Sequence, residues 1–350
     1  MKLGVMAGYA VNQEQLLGMV ETAKAAEALG YDSIWTAEAY GFDAATPLSF
    51  FAAATSKIRI GSAIFQIPGR TPGNAAMTAV TLDNLSNGRF SLGLGSSGPQ
   101  VAEGWHGQPF AKQIQRTREY IEILRKMLGR EVAEYDGEIY KLPLPDGLGK
   151  PLKLMTRPVQ ERIPIYLAAI GPKNTALAGE LCDGWLPYLY GPEHAEQLNA
   201  NLKEGAERAG RTLADIQVSP SIFTATGDGD IDELRDRIRP LVALYVGGMG
   251  ARNKNFYNNL VSSYGYEEAA KEIQDLYLDK KYDEAAAAIP TELIDMISLV
   301  GDRDRVADRI AAYKDVGVDN LMVVPMSGDA AEREVILRDT VAAAEQAGVL

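Results

Sequence analysis

Short apolar runs alternate with helical stretches from one end of this 350-residue chain to the other. The runs at Leu3–Ala7, Ser33–Ala37, Ile58–Phe65, Phe90–Leu94, Ile165–Ala168, Asp183–Tyr188, Ile216–Thr224 and Leu321–Val324 read as strands. They are apolar throughout instead of at every second residue, the pattern of a parallel sheet covered on both faces. The helical segments between them have legible ends. "NQEQLLGMVETAKAAEALG" opens on Asn12 and leaves at Gly30, and "TPGNAAMTAVTLDNLSNGR" places Pro72 in a first turn and Gly88 at a C-terminal cap. Eight strand–helix units predict an α/β fold, the closed (β/α)8 TIM barrel, which takes ~250 residues plus insertions. The surplus falls in two insertions, 129–162 after strand four and 247–290 after strand seven. The first carries a hairpin-like "YDGEIYKL"; the second reads as helical after a glycine-rich hinge. Both would rise from the strand C-terminal face, where barrel active sites form, as walls or lids within a single domain over 1–350.

Charge narrows the class of partner. With 35 basic and 47 acidic residues the chain carries a formal charge of −12. That argues against nucleic acid or an acidic membrane surface as partner, while leaving room for a local basic pocket. A single cysteine, Cys182, and two dispersed histidines, His106 and His194, give no basis for a disulfide or a metal site. No apolar run approaches the ~18 residues of a membrane span. "MKLGVMAGY" reads as a strand instead of a secretory leader, so the expectation is a cytoplasmic enzyme acting on a small molecule.

The stretch "RFSLGLGSSGPQ" contains Gly93-x-Gly95-x-x-Gly98 directly after a strand. This is the spacing of a dinucleotide-binding turn, which normally sits in the first βα unit, runs into a helix and is followed ~20 residues on by an acid at a strand tip. Here it follows the fourth strand, Pro99 interrupts the expected helix start, and Glu119 lies downstream within the amphipathic "KQIQRTREYIEILRKML". Two readings remain. The glycines make a tight barrel turn, or they let backbone N–H groups and small hydroxyls approach a planar or phosphorylated ligand.

Five stretches, in order, resemble the bacterial-luciferase-like superfamily, particularly its branch using the deazaflavin coenzyme F420. They are "SIWTAEAYG" (Ser33–Gly41), "IGSAIFQIPGRTP" (Ile60–Pro72), "NGRFSLGLGSSGPQVAEGWHGQPF" (Asn87–Phe110), "PIYLAAIGPKNTALAGELCDGWLP" (Pro164–Pro187) and "ALYVGGMG" (Ala243–Gly250). The resemblance implies a non-prolyl cis peptide between Ala63 and Ile64, forming a bulge behind the deazaflavin ring. It also implies that Gly95, Ser96, Ser97 and Gly98 border the ring, and that Ala168, Ala169, Ile170 and Gly171 hold the cofactor phosphate. A helix starting near Pro172 would offer N–H groups to that anion, with Arg70, Lys173 and Arg252 as candidate cations. Lys173 reads equally as a solvated lysine. The implied activity is hydride transfer between the deazaflavin C5 and a small carbonyl, enone, imine or alcohol, with no separate reductase. The alternatives are an FMN-dependent monooxygenase of the same fold, which needs a reductase, and a non-catalytic flavin- or deazaflavin-binding protein. An aldolase would want a lysine at a strand tip, and the predicted tips offer none. Relatives are commonly dimers or larger, so a homodimer or larger homo-oligomer is expected.

Two residues are candidates for acid–base work. Glu38 follows strand two, where related sugar-phosphate enzymes carry Asp-His and this chain has Ala37-Glu38. A carboxylate in a partly apolar pocket can donate a proton, and a glutamate at a helix entrance can equally be a cap. His106, in "EGWHGQPF", is either an ordinary loop histidine or a contact to substrate or cofactor. Those relatives also carry a glutamate where this chain has Gly98-Pro99, and both departures argue against a glucose-6-phosphate type of activity. Tyr9, Tyr40 and Phe42 are placed to line the pocket or simply to pack, and Trp185 and His194 read as structural.

Overall fold

The eight predicted strands close into one parallel ring in the computed structural model, which describes residues 1–250 and 252–350. They are β1 (Lys2–Met6), β2 (Ser33–Thr36), β3 (Arg59–Ser62), β4 (Phe90–Gly95), β5 (Ile165–Ala168), β6 (Gly184–Leu186), β7 (Gln217–Val218, resuming as Ser221–Thr226) and β8 (Asn320–Pro325). Each pairs with its successor in parallel register, from Gly4 opposite Ser33 to Ser221 opposite Met322, and Lys2 opposite Asn320 completes the circle. Eight helices cover it: α1 (Gln13–Ala28), α2 (Ala45–Ala54), α3 (Pro72–Leu85), α4 (Gln113–Leu128), α5 (Pro172–Leu181), α6 (Ala195–Arg208), α7 (Arg303–Asp315) and α8 (Ala330–Gln346). Four of these starts have side-chain caps: Asn12, Thr71, Asp302 and Asp329 each accept a backbone N–H from the first turn. Gly30 and Gly88 take the positive φ that ends α1 and α3, as the sequence indicated.

Two details differ from the sequence reading. A ninth parallel strand, Ser298–Gly301, pairs with the upper half of β7, Phe223 lying opposite Ser298. Its four residues, Ser-Leu-Val-Gly, follow the helix Thr291–Met296 after only Ile297, so periodicity alone merges the two. The glycines after residue 246 are not simply a hinge. A Cβ on Gly247 would lie 2.4 Å from Tyr277 Cβ, and one on Gly248 2.5 Å from Tyr277 Cε1. They admit the helix Glu267–Leu278 to close contact, at a π-helical turn over Leu244–Gly248.

The core lies between sheet and helices, with a smaller cluster inside the barrel. Inside, Met6, Trp35, Tyr166, Leu186 and Met322 are buried, and Trp35 meets Tyr166 edge-on at 5.1 Å. Gly61 and Gly184 make room for these rings, since a Cβ there would come within 2.2 Å of Trp35 and 2.1 Å of Tyr166. Ala63, Ile64, Ala168 and Val324 pack on top of this cluster, forming a floor across the mouth at the strand C-terminal ends.

The first insertion contains the expected hairpin, Tyr135–Asp136 against Lys141–Leu142. Glu119, fully buried on α4, accepts the N–H groups of Glu138, Ile139 and Tyr140. Asp83 of α3 accepts those of Val159 and Gln160 at the insertion's exit. The second insertion folds as helices Phe256–Ser263, Glu267–Leu278 and Tyr282–Ala287 around their own apolar cluster. Val324 packs against both this cluster and the barrel interior. Among the described residues no helix is long and apolar enough to cross a membrane.

Candidate active site

The glycine loop after β4 is shaped by what it faces. Ser62 Oγ donates to the Gly93 carbonyl at 2.9 Å and accepts the Gly93 N–H at 3.0 Å. A Cβ on Gly93 would fall 1.9 Å from the Ser62 carbonyl oxygen, and one on Gly95 would fall 2.8 Å from Ile64 Cδ1 and Cγ1. Two of the three glycines therefore permit the β4 rim to close on the end of β3. Gly98 is different, because a Cβ there meets nothing nearer than Gln100 Oε1 at 3.4 Å. It stands as the N-terminal cap of a short helix, Pro99–Ala102. Pro99 thus begins a helix here, which corrects the expectation that it interrupts one: a first-turn proline lacks only an N–H that the helix does not use. Gly95 is buried, while Ser96, Ser97 and Gly98 are half-buried at the rim, with Ser97 at φ 57°.

At the end of β3 the peptide between Ala63 and Ile64 is cis, as the resemblance implied; a second cis bond, Leu142–Pro143, lies in the first insertion. Across the floor, Ala168 to Gly171 lead from β5 into α5, whose N-terminal cap is Gly171 and whose first residue is Pro172. Trp185 braces this loop, its Nε1–H donating to the Ala169 carbonyl at 2.8 Å. On the outer side a Cβ on Gly171 would lie 3.6 Å from the Phe256 ring, so the second insertion flanks the loop. Ala63 and Ile64 thus share one floor with Ala168.

Glu38 and His106 are joined through a residue that sequence reasoning did not single out. Glu38 Oε2 accepts the Ala44 N–H at 3.1 Å, and Oε1 accepts the Gln66 N–H at 3.0 Å. Arg70 pairs with Oε1, the carboxylate being 7% exposed and the guanidinium 14%. The Gln66 side-chain amide donates to the Glu38 carbonyl at 3.3 Å, which leaves its Oε1 to accept from His106 Nε2 at 2.7 Å. Gly69 admits the imidazole, since a Cβ there would sit 3.0 Å from His106 Cε1. Gln66, a polar residue at an otherwise apolar strand end, was the signal available for this link.

The candidate cations sort differently from the sequence expectation. Arg70 is tied to Glu38 and lies over the Phe65 ring at 4.3 Å, and Arg252 is paired with Asp275. Neither is a free anchor for an anion. Lys173 is exposed at the start of α5, beside the Ala168–Gly171 loop. His194 stacks on Tyr264 at 4.3 Å and is structural. No cluster of three or more His, Cys, Asp or Glu with metal-binding geometry occurs among the described residues.

Aromatic residues also line the mouth. Tyr9 (after β1), Tyr40 and Phe42 (after β2) are exposed there. Tyr188, beyond β6, meets Tyr245 of the π-helical turn at 4.5 Å, Tyr257 of the second insertion at 6.0 Å and Phe223 of β7 at 5.6 Å. Burial raises the Tyr188 and Tyr245 phenols well above their ordinary value.

A parallel barrel that gathers its glycine loop, a helix N-terminus and an aromatic wall at the strand C-terminal face belongs to the enzyme-bearing class of this fold. More narrowly, the chain is a member of the luciferase-like monooxygenase family, whose profile matches residues 1–320. It is 44% identical over 336 residues to a Mycobacterium tuberculosis protein named as a coenzyme F420-dependent oxidoreductase, covering 94% of this chain and 96% of that one. It is 28% identical over 305 residues to the 5,10-methylenetetrahydromethanopterin reductase of Archaeoglobus fulgidus, covering 85% and 86%. Among solved structures, the coenzyme F420-dependent tetrahydromethanopterin reductase of Methanopyrus kandleri superposes with a TM-score of 0.81 at 24% identity, covering 97% of this chain and 98% of that one. An F420-dependent secondary alcohol dehydrogenase with an F420–acetone adduct gives 0.79 at 19%, covering 98% of each chain. These likenesses establish the barrel as the fold.

Proposed function

We propose that this protein is a coenzyme F420-dependent oxidoreductase acting on a small organic substrate. The observation that carries the reading is the close approach of Gly95 to Ile64, which leaves a side-chain-free rim over a floor of Ala63, Ile64 and Ala168. Such a surface suits a planar ring, and the relatives' names supply its identity. Ala63, Ile64 and Gly95 would lie against the ring, with Ser96, Ser97 and Gly98 at its edge. Ala168, Ala169, Ile170 and Gly171 would hold the phosphate, where the α5 N-terminus offers N–H groups and Lys173 the nearest charge. When bound, coenzyme F420 supplies a two-electron hydride couple, and the protein supplies orientation and exclusion of water.

Within that reading Glu38 serves as a joint and not as a proton donor. Both its oxygens already accept from Ala44, Gln66 and Arg70, so it locks the loops after β2 and β3 together. His106, hydrogen-bonded to Gln66, extends the joint to the β4 loop. A homodimer or larger assembly belongs to the same reading, because Phe50 of α2 with Met77 and Leu85 of α3 are more than half exposed.

Matched titrations with F420 and FMN test the proposal, followed by consumption of reduced F420 against a carbonyl and enone panel. Direct consumption with retained F420 binding is expected. Retention of FMN with oxygen uptake and no F420 binding would overturn it in favour of a reductase-dependent monooxygenase. F420 binding with no turnover would leave a carrier protein. Light scattering after gel filtration reads the assembly state, and a monomer would remove the oligomer from the proposal.

A further inference from the structure

The π-helical turn over Leu244–Gly248 and the second insertion bring Tyr245 and Tyr257 together over the barrel mouth, where Tyr188 and Tyr9 meet them. Tyr245 and Tyr257 lie 4.9 Å apart, and both approach Tyr188. The Tyr245 hydroxyl neighbours those of Tyr9 and Tyr188.

These phenols differ from the enclosed phenols of the barrel in their hydrogen-bond partners. The buried Tyr31, Tyr120, Tyr264 and Tyr313 each donate to a backbone carbonyl, and Tyr166 bonds Gln217. Among the described residues, the hydroxyls of Tyr9, Tyr188, Tyr245 and Tyr257 show no hydrogen bond outside their own group. Buried hydroxyls are ordinarily hydrogen-bonded, so a set that has only its own members as neighbours is a set of donors in waiting.

Charge at the mouth points the same way. Arg70 is neutralised by Glu38, Arg252 by Asp275, and Lys254 lies 4.7 Å over the Phe110 ring. A substrate oxygen seated beside Tyr188 and Tyr245 would meet neutral phenol donors.

We infer that the four phenols recognise the substrate's oxygen, selecting a neutral carbonyl or hydroxyl compound over an anionic one. The inference rests on the reading that the cofactor covers the floor formed by Ala63, Ile64 and Ala168. Val324 links that floor to the insertion, which puts the phenols on the substrate side. Desolvation keeps these groups protonated through the neutral range, so they donate hydrogen bonds without contributing charge.

Calorimetric titration of the wild-type protein, with and without F420, against cyclohex-2-enone and cyclohexanecarboxylate tests this. The enone is expected to bind at least tenfold more tightly than the carboxylate. Tyr188→Phe and Tyr245→Phe should each weaken the enone about three- to tenfold, the range of one hydrogen bond, with F420 affinity within about twofold. Tyr31→Phe, on the far side of the barrel, should change neither. If a buried variant fails to fold by circular dichroism, the half-exposed Tyr9→Phe carries the same expectation. Absence of enone binding to the wild type, equal affinity for the carboxylate, or unchanged enone affinity in the folded variants would each overturn the inference. Failure of F420 to bind sinks the proposed cofactor instead, and is read in a separate titration.

Discussion

The three glycines after β4 have three different reasons for being glycine, and substitution separates them. Gly93→Ala forces a Cβ to within 1.9 Å of the Ser62 backbone oxygen, which has nowhere to go, so loss of folding is expected in a thermal melt. Gly95→Ala meets the flexible Ile64 side chain at 2.8 Å; the barrel should survive, but with the rim displaced F420 affinity should fall at least tenfold by titration. Gly98→Ala has room, and both properties should stay near wild type. The Glu38–Arg70 pair makes a harsher test. Arg70→Met strands a buried carboxylate, and such removals cost about 3–5 kcal/mol, to be read as a drop in denaturation midpoint. Legibility at this scale was uneven. The Ala63–Ile64 bond and the glycine rim follow from stretches a reader can match to a family. Gln66, which ties Glu38 to His106, became visible only when β2, β3 and the β4 loop were brought together in space.

Elements here are fastened by carboxylates that accept backbone N–H groups from distant loops. Glu27 of α1 holds Ser56, Lys57 and Ile58; Glu119 of α4 holds the first insertion's hairpin; Asp183 holds Ile165 while pairing with Arg125 and Arg162. Glu119→Gln keeps the shape but replaces an acceptor oxygen with a donor facing other donors. Hydrogen exchange should rise over 131–142 while β1 to β3 remain protected, and uniform exchange across the chain would show that the hairpin is not separately anchored. The helix containing Glu119 was legible from its amphipathic pattern, and the hairpin from "YDGEIYKL". Their attachment was not, since nothing in either pattern indicates a carboxylate aimed at a turn some twenty residues downstream. The strand Ser298–Gly301 was missed for a related reason: four residues of mixed polarity have no period of their own, and only pairing with β7 makes them a strand.

The molecule as a whole should therefore be sensitive to acid. Burial pushes the carboxyls of Glu27, Glu119 and Asp183 upward, but hydrogen bonds, and for Asp183 chiefly Arg125, outweigh it and hold all three below their usual range. A depressed folded-state pKa contributes stability that is present above the unfolded value, about 4, and is lost as pH falls through the folded one. Melting temperature should be flat near neutrality and decline below about pH 4, with Asp183→Asn starting lower and falling less. The sole thiol offers a second measure. Burial, partly countered by Arg125, pushes Cys182 up to about 12, and it is fully enclosed. Labelling with a thiol reagent should track global unfolding, in one transition if barrel and insertions form the single unit proposed from their shared contact at Val324.

The plug inside the barrel has an optical consequence. Trp35 is 2% exposed, its Nε1 finds no acceptor, and it packs with Ala63 and Ile64 directly beneath the floor. The other two indoles are elsewhere: Trp105 on the surface, and Trp185 bonded to Ala169. An indole in so apolar a setting emits toward the blue, and a chromophore resting on the floor would accept its excitation. The chain thus carries its own lamp under the site, and dimming of that blue band would report occupancy without any label.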